Sequence, residues 1–101
     1  MQNVTNWVTL CAVIKSFRHK ALAALFETGN ARKLQPKHAK RLKLILAALN
    51  AATRAGQMNM PGMRFHPLKG GRLSVWVDEN YRVTFTFENG HAYEVDYEDY
   101  H

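Results

Sequence analysis

The sequence contains one cysteine, Cys11, and no long apolar run. A single thiol cannot form an internal disulfide or a multi-thiolate metal site, so we expect the protein to belong to a reducing compartment, the cytoplasm. The longest apolar stretch near the amino end, from Val8 to Ile14, is broken by Thr9 and follows no Lys or Arg. This pattern argues against both a signal peptide and a transmembrane span, and we expect no membrane partner.

The chain is too short for two domains, because each half of its 101 residues would bury too little apolar surface to fold alone. Apolar residues make up 47% of the sequence and aromatic residues 11%, which excludes a disordered tail. We therefore expect one domain over residues 13–101. Residues 1–12 are interpreted below as an extension of it.

Acidic side chains are nearly absent from the first three quarters of the chain. Residues 1–77 include 13 Lys and Arg and one acid, Glu27, whereas residues 78–101 include seven acids and one Arg. The formal charges of the two segments are +12 and −6. A segment this basic indicates binding of a polyanion such as nucleic acid. The alternative is that the cations between residues 37 and 43 form the solvated side of an amphipathic helix.

Two segments have apolar residues at helical spacing. The first helix is predicted over residues 17–28, because the Gly-Asn pair at 29–30 tolerates the left-handed conformation that ends helices. The second is predicted from Pro36 to about Ala55, and Gly56 closes it. Its apolar stripe is expected in the core and consists of Leu42, Ile45, Leu46, Leu49 and Ala52.

From Gly62 onward apolar and polar residues alternate, which is typical of strands. The predicted strands are Met63–His66, Leu73–Val77, Tyr81–Phe87 and His91–Tyr97. Residues 13–15 are expected to add a short strand at the edge of the sheet. The element order predicts an α+β fold in which two N-terminal helices pack on one face of a small antiparallel sheet.

The register of the last hairpin follows from its alternation of apolar and charged residues. A two-residue Asn-Gly turn would set apolar residues opposite charged ones on each face. A three-residue loop over residues 88–90 avoids this mismatch, so we expect Tyr81 opposite Tyr97 and Arg82 opposite Asp96.

Sequence signatures of zinc, phosphate-loop and nucleophile-elbow sites are absent. Residues 66–70 and 93–101 nevertheless concentrate groups that can transfer protons. Histidine titrates near neutral pH, and with lysine, tyrosine and a carboxylate it suffices for metal-free cleavage of RNA. The alternative interpretation of the second segment is a frayed acidic carboxyl end. His19 and His38 are interpreted as solvated helix residues.

Four blocks of the sequence carry a family resemblance. They are residues 13–20 with 25–27, residues 64–70 (Arg-Phe-His-Pro-Leu-Lys-Gly), residues 80–85 (Asn-Tyr-Arg-Val-Thr-Phe) and residues 95–101 (Val-Asp-Tyr-Glu-Asp-Tyr-His). In this order they resemble the HigB branch of the RelE/ParE toxin superfamily. The resemblance implies a ribosome-dependent mRNA endonuclease without metal or other cofactor. It also implies two partners, a small helix-turn-helix (HigA-like) antitoxin and the ribosome with its mRNA.

The resemblance also implies an active site, made of His66, Lys69, Asp99, Tyr100 and His101. We expect His66, His101 and Asp99 to transfer protons and to orient the mRNA. Tyr100 is expected to stack on a base or to position it.

Cations are assigned by the same resemblance. Arg82 is expected to contact phosphate and, with Lys69, to stabilise the charge that develops during cleavage. Ribosomal RNA or the message backbone is expected to meet four further basic residues, Lys37, Lys40, Arg41 and Arg72.

Two other functions remain open at this point. One is a gyrase-inhibiting toxin of the ParE type, which shares the fold but cleaves no RNA. The other is a basic RNA- or ribosome-binding module without catalysis. The loop after Gly70 is shorter than is usual in the resembled branch, and this leaves codon preference open.

Residues 1–12 have no counterpart in the resembled family, whose members tend to begin where Val13 stands. We therefore predict that translation starts at a valine-type codon at position 13. Mass spectrometry of the endogenous protein tests this start, because peptides between Gln2 and Cys11 are expected to be missing. Detection of such peptides would show that the longer chain is made.

Overall fold

A computed structural model of the protein describes residues 14–99. The predicted extension, Val13, Tyr100 and His101 lie outside the described residues. Two helices are formed, α1 (Lys20–Thr28) and α2 (Ala39–Ala51). Four antiparallel strands follow, β1 (His66–Pro67), β2 (Leu73–Trp76), β3 (Tyr81–Glu88) and β4 (His91–Asp99). The strands are adjacent in chain order, so the expected α+β fold is confirmed. None of the helices in this part of the chain is long and apolar enough to cross a membrane.

The first helix begins later than its apolar spacing predicts. His19 is the N-cap, and its Nδ1 accepts a hydrogen bond from the backbone N–H of Leu22 (3.2 Å). The predicted start at residue 17 is wrong because Phe17 forms a bridge with Val95 of β4 instead. The predicted end is confirmed, since Gly29 adopts a left-handed φ of 79° and its N–H donates to the oxygen of Leu25.

The segment before α1 lies along the outer edge of β4. Ile14 and Phe17 form parallel bridges with Ala92 and Val95. The backbone N–H of Lys15 donates to the oxygen of Ala92 (2.8 Å). The expected edge strand is therefore present as two isolated bridges, and this segment covers the edge of β4 that neighbouring chains could otherwise pair with.

The second helix ends before the predicted position. A short 3-10 turn, Pro36–His38, leads into α2, and the predicted apolar stripe is buried as expected. The helix stops at Ala51 rather than near Ala55 because the side-chain oxygen of Gln57 accepts the N–H of Thr53 (2.7 Å). The chain turns there and buries Met58 completely.

The first strand is shorter than predicted and lies later in the chain. Arg64 has a positive φ of 48°, which an extended strand cannot accommodate, so the predicted strand from Met63 is interrupted. Pairing begins at His66, which lies opposite Ser74. The backbone oxygen of Met63 still accepts the N–H of Trp76 (2.7 Å), so this segment stays attached to β2.

The predicted three-residue loop in the last hairpin is wrong. Glu88 pairs with His91, and only Asn89 and Gly90 form the turn, with positive φ values of 51° and 81°. Positive φ at both central residues is characteristic of the type I′ turn that suits hairpins. The expected pairings of Tyr81 with Tyr97 and of Arg82 with Asp96 are wrong as well, because Tyr81 lies opposite Asp99 and Arg82 lies opposite Glu98.

A β-bulge at Glu94 restores the alternation that a two-residue turn alone would disrupt. The register shifts by one residue between Thr84 and Thr86, and Glu94 adopts a left-handed φ of 50°. A non-glycine residue in this conformation costs roughly 1–2 kcal/mol. From the bulge to the end of β4, every side chain therefore lies on the face opposite to the one an unbulged hairpin would give it.

Side chains remote in sequence hold the bulge in place. The hydroxyl of Ser16 accepts the N–H of Glu94 (2.8 Å), and Arg72 donates to the backbone oxygen of Glu94 (2.8 Å). Arg18 forms an exposed ion pair with the Glu94 carboxylate at 2.6 Å. All three polar groups of the bulged residue therefore have partners, which offsets the cost of its backbone conformation.

One face of the sheet packs against the helices and forms the core. Val75, Val83 and Tyr97 are neighbours across three strands, and all three are buried in the cluster that also contains the stripe of α2. The other face carries polar and charged side chains. We call it the open face and define it by His66, Ser74, Trp76, Arg82, Thr84, Asp96 and Glu98.

The interpretation of His38 as a solvated helix residue is wrong, because its side chain is buried. Its Nε2 lies 2.6 Å from the carboxylate of Asp78, and its Nδ1 lies 2.6 Å from the hydroxyl of Tyr97. Since a carboxylate only accepts, Nε2 donates, and in the neutral ring Nδ1 accepts the Tyr97 proton. Burial raises the pKa of Tyr97 to about 12, so this hydroxyl keeps its proton.

The Asp78 carboxylate connects the β2–β3 turn to the start of α2. Its Oδ1 accepts the N–H groups of Asn80 and Tyr81, both at 2.9 Å, while its Oδ2 accepts from His38. These hydrogen bonds, with that of His38 the largest, lower the pKa of Asp78 from 3.8 to about 2. The folded protein therefore gains stability from the ionised carboxylate above pH 3.8 and loses it as the pH falls toward 2.

Replacing Asp78 with asparagine is expected to reduce the acid sensitivity of folding, because the amide does not titrate. Urea unfolding measured near neutral pH and again between about pH 4 and 2 tests this. Wild type is expected to lose more free energy of unfolding over the acid interval than Asp78→Asn. The neighbouring exposed variant Glu79→Gln serves as the control and is expected to behave like wild type. Equal acid losses in wild type and Asp78→Asn would contradict the prediction.

Candidate active site

The centre of the open face is a hydrogen-bonded group of Arg82, Glu98, Thr84 and Arg72. Arg82 and Glu98 lie opposite each other on β3 and β4. The Nε and Nη2 of Arg82 donate to one carboxylate oxygen of Glu98 at 3.2 and 3.1 Å. The hydroxyl of Thr84 donates to the other oxygen at 2.7 Å. Glu98 thereby holds the plane of the Arg82 guanidinium in one orientation on the open face.

Arg72 joins the same group from the start of β2. Its Nη2 donates to the hydroxyl of Thr84 at 2.9 Å and to the backbone oxygen of Glu94 at 2.8 Å. Thr84 is completely buried beneath the side chains that contact it. Arg72 therefore couples the bulge in β4 to the charged centre of the open face.

The Glu98 carboxylate is held in its ionised form. Partial burial raises the pKa of Glu98, but hydrogen bonds from Thr84 and Arg82 and the charges of Arg82 and Arg72 lower it more, so the net shift is downward. A carboxylate with a lowered pKa is a weak proton acceptor. Glu98 is thus suited to orient the arginines and unsuited to act as a general base.

His66 lies at the edge of the open face, on the outermost strand. Its ring is exposed, and its Nδ1 lies 2.8 Å from the backbone oxygen of Arg64. A carbonyl oxygen only accepts, so Nδ1 carries the proton. In the neutral ring Nε2 is then the unprotonated nitrogen, which is the form that a general base requires.

Lys69 follows β1 in a three-residue turn, Lys69–Gly71. A hydrogen bond from the N–H of Leu68 to the oxygen of Arg72 (2.7 Å) closes this turn. Lys69 is exposed and three residues from His66.

The structure does not place Asp99 with His66. Asp99 lies opposite Tyr81 and alternates with Glu98, so it belongs to the helix side of the sheet. His66 and Asp99 are also on the two outer strands, roughly 14 Å apart by strand spacing alone. Asp99 therefore cannot orient the His66 ring by a direct hydrogen bond.

The basic residues predicted on the second helix differ in their surroundings. Arg41 donates to the backbone oxygens of Trp76 (3.2 Å) and Gly62 (2.8 Å), which commits its guanidinium to structural contacts. Lys37 is exposed and lies 3.9 Å from the Asp78 carboxylate. Lys40 is exposed as well.

Sequence reasoning missed Glu98, Thr84 and Arg64. The guanidinium of Arg64 lies 4.4 Å above the ring of Trp76, and that of Arg41 lies 5.3 Å from the same ring. Glu98 could have been found only with the correct register, because an acid at position 96 or 98 satisfies the same alternation. Arg64 had a signal, since it directly precedes the His-Pro-Leu-Lys-Gly block.

Comparison with known proteins shows similarity to a described family and to a named protein. A family described as "RelE-like toxin of type II toxin-antitoxin system HigB" matches residues 15–101. A protein of Proteus vulgaris named "Endoribonuclease HigB" is 44% identical over 92 residues, and the match covers 88% of this chain and 100% of the relative.

The charged group on the open face is expected to depend on the Thr84 hydroxyl. Thr84→Val keeps the shape of the side chain but removes a partner from both Arg72 and Glu98, and we expect it to lower the free energy of unfolding by about 1–3 kcal/mol. Thr86→Val, in which the lost contact is a 3.5 Å one to Tyr93, is the matched control. Urea unfolding of both variants tests the difference, and equal losses would contradict it.

Proposed function

Because this chain belongs to the HigB-like family of RelE-like toxins of type II toxin–antitoxin systems, we propose that it is an endoribonuclease that cleaves mRNA on translating ribosomes. The family implies an antitoxin partner. We propose that this partner is of the helix-turn-helix, HigA-like kind, and that the pair acts in the cytoplasm.

The observation that carries the proposal is an exposed histidine, whose Nδ1 is hydrogen-bonded to a backbone oxygen, on the same face as two arginines held by side-chain hydrogen bonds. Cleavage of RNA by its own 2′-hydroxyl needs a base for the proton of that hydroxyl and cations for the charge that forms on phosphorus. His66 supplies the base, and Arg72 and Arg82 supply the cations.

In the proposed reaction, the Nε2 of His66 takes the proton of the 2′-hydroxyl, whose oxygen then bonds to the adjacent phosphorus. The bond from phosphorus to the 5′-oxygen breaks, and a general acid gives that oxygen a proton. We assign this second role to His101. The products are a 2′,3′-cyclic phosphate and a 5′-hydroxyl, so no cofactor is consumed.

The cations of the open face are assigned to the transition state. Glu98 fixes the plane of the Arg82 guanidinium. Arg82 can therefore donate hydrogen bonds to a phosphate in a defined direction. Lys69 is exposed at the end of β1 and adds a flexible positive charge. Together they stabilise the dianionic phosphorane more strongly than the singly charged phosphodiester, which is the condition for catalysis.

The carboxyl-terminal residues are assigned with one revision. Asp99 is not assigned to the orientation of His66, because the sheet separates the two residues. Tyr100 is proposed to stack on a base of the message. Among the basic helix residues, Lys37 and Lys40 are proposed to contact ribosomal RNA, whereas Arg41 serves the fold.

The decisive experiment is induced expression of the full chain followed by mapping of new 5′ ends in cellular mRNA. Wild type is expected to produce in-frame cuts within coding regions. His66→Gln and His101→Ala are expected to reduce these cuts by about 100-fold or more, since a general acid or base contributes about 10²–10⁴ in rate. The control is His91→Gln, a half-buried histidine at the start of β4, which is expected to cut like wild type.

Two outcomes would overturn the proposal. Growth arrest by wild type without new 5′ ends would favour a gyrase-inhibiting toxin. Cuts that persist in both His66→Gln and His101→Ala would show that these histidines do not perform the chemistry.

A further inference from the structure

A second concave surface lies on the helix side of the sheet, on the face opposite His66. It has a volume of about 530 Å³, and we call it the tyrosine groove. Tyr81 and Tyr97 form its floor, and the loop between the helices forms its rim. Asp99, near the end of β4, also lines the groove.

The floor of the groove is rigid. The rings of Tyr81 and Tyr97 stack with centroids 4.9 Å apart and an interplanar angle of 24°. The hydroxyl of Tyr97 is bound to His38, and the ring of His19 meets the ring of Tyr97 edge-on at 5.5 Å. The side-chain amide of Gln35 donates to the hydroxyl of Tyr81 (3.4 Å). A ligand would therefore meet a surface that needs little ordering on binding.

His19 presents a hydrogen-bond donor at this groove. Its Nδ1 accepts the helix-capping hydrogen bond from Leu22, so the proton of the neutral ring is on Nε2. Protonation of the ring leaves Nε2 a donor as well. His19 also lines the groove and is half-buried. The helix-capping hydrogen bond therefore fixes the position of the His19 ring and makes Nε2 the hydrogen-bond donor.

The rim of the groove carries two positive charges, Arg32 and Lys33, and both side chains are exposed. Within residues 14–99 no carboxylate forms an ion pair with either of them. The acid of the lining is Asp99. The groove thus combines two cations and an N–H donor with a carboxylate and a tyrosine hydroxyl that can accept hydrogen bonds.

The mixture of cations, a hydrogen-bond donor and a carboxylate in the groove favours some anions over others. A small, multiply charged anion would be repelled at the Asp99 end. An RNA strand alternates phosphates with ribose hydroxyls and base N–H groups, so its phosphates can meet Arg32 and Lys33 while its donors meet Asp99 and Tyr81. An RNA strand therefore fits the charges of the groove better than a small anion does.

We propose that the tyrosine groove is a second RNA subsite, which binds a phosphate and ribose of the strand beyond the cleaved bond. The inference rests on the proposed function for the identity of the strand. The bound strand passes around the end of β4, from the open face to the helix side. Its phosphate is held by Arg32, Lys33 and His19, and its ribose lies against Tyr81.

The test compares Arg32→Ala/Lys33→Ala with a charge-matched control, Lys15→Ala/Lys43→Ala, whose lysines are exposed and lie away from the groove. In cleavage of ribosome-bound message, the groove variant is expected to raise KM about tenfold with kcat within about twofold of wild type. The control is expected to match wild type in both constants. Equal effects of the two double variants would overturn the proposal.

A binding measurement keeps the test separate from cleavage. Each protein carries His66→Gln, and its affinity for a single-stranded oligoribonucleotide is measured by fluorescence anisotropy at several salt concentrations. Losing the contact with one phosphate is expected to reduce the slope of log K against log salt by about 0.7 for the groove variant, and by less for the control. An unchanged slope in the groove variant would overturn the proposal even if wild type cleaves RNA.

A third measurement identifies the source of the phosphate. The groove variant and wild type, both with His66→Gln, are compared for binding to ribosomes with and without message. A loss of affinity confined to ribosomes that carry message supports the proposed subsite. An equal loss on vacant ribosomes would assign the groove to ribosomal RNA and overturn the proposed subsite.

The variant Tyr81→Phe keeps the stacked rings and removes only the hydroxyl. A threefold or smaller rise in KM is expected from the loss of this hydroxyl.

Discussion

The extra residue in β4 is the constraint on which the rest of the sheet depends. Glu94 adopts a left-handed conformation, and from there to the end of the strand each side chain lies on the face opposite to the one a regular hairpin would give it. The bulge thereby puts Tyr97 into the core and Glu98 opposite Arg82. Without the bulge, Tyr97 and Glu98 would exchange faces, which would take Tyr97 out of the core and Glu98 away from Arg82.

The sheet separates two surfaces with different chemistry. The open face combines a histidine with arginines that a carboxylate orients, which suits proton transfer and stabilisation of charge on phosphorus. The helix side carries a rigid aromatic floor and cations without ion-pair partners among residues 14–99, which suits binding. The two surfaces meet at the end of β4. Arg72 contacts both Thr84 on the open face and the backbone of the bulge at Glu94. Substitutions at Thr84 or Arg72 are therefore expected to affect both the fold and the site.

The predicted elements are present where local signals are strong, and their boundaries differ where residues outside the predicted element compete for the backbone. The end of α1 at Gly29 and the buried stripe of α2 follow from local spacing and were predicted. Phe17 has helical spacing but pairs with β4, and Gln57 ends α2 early by accepting a backbone N–H. In both places a partner outside the predicted helix, Val95 in a distant strand or Gln57 just beyond the helix end, competes with helix propensity and wins.

The sequence by itself determined the α+β class, the four strands and the blocks that carry chemistry, because these depend on periodicity and on residue types close in the chain. Only the tertiary structure decided the register, the burial of His38 and the face on which Asp99 lies. For the register of β4 the reason is the bulge, whose strained backbone is held by Ser16, Arg18 and Arg72 from elsewhere in the chain. Alternation along one strand cannot reveal an extra residue that only remote partners stabilise.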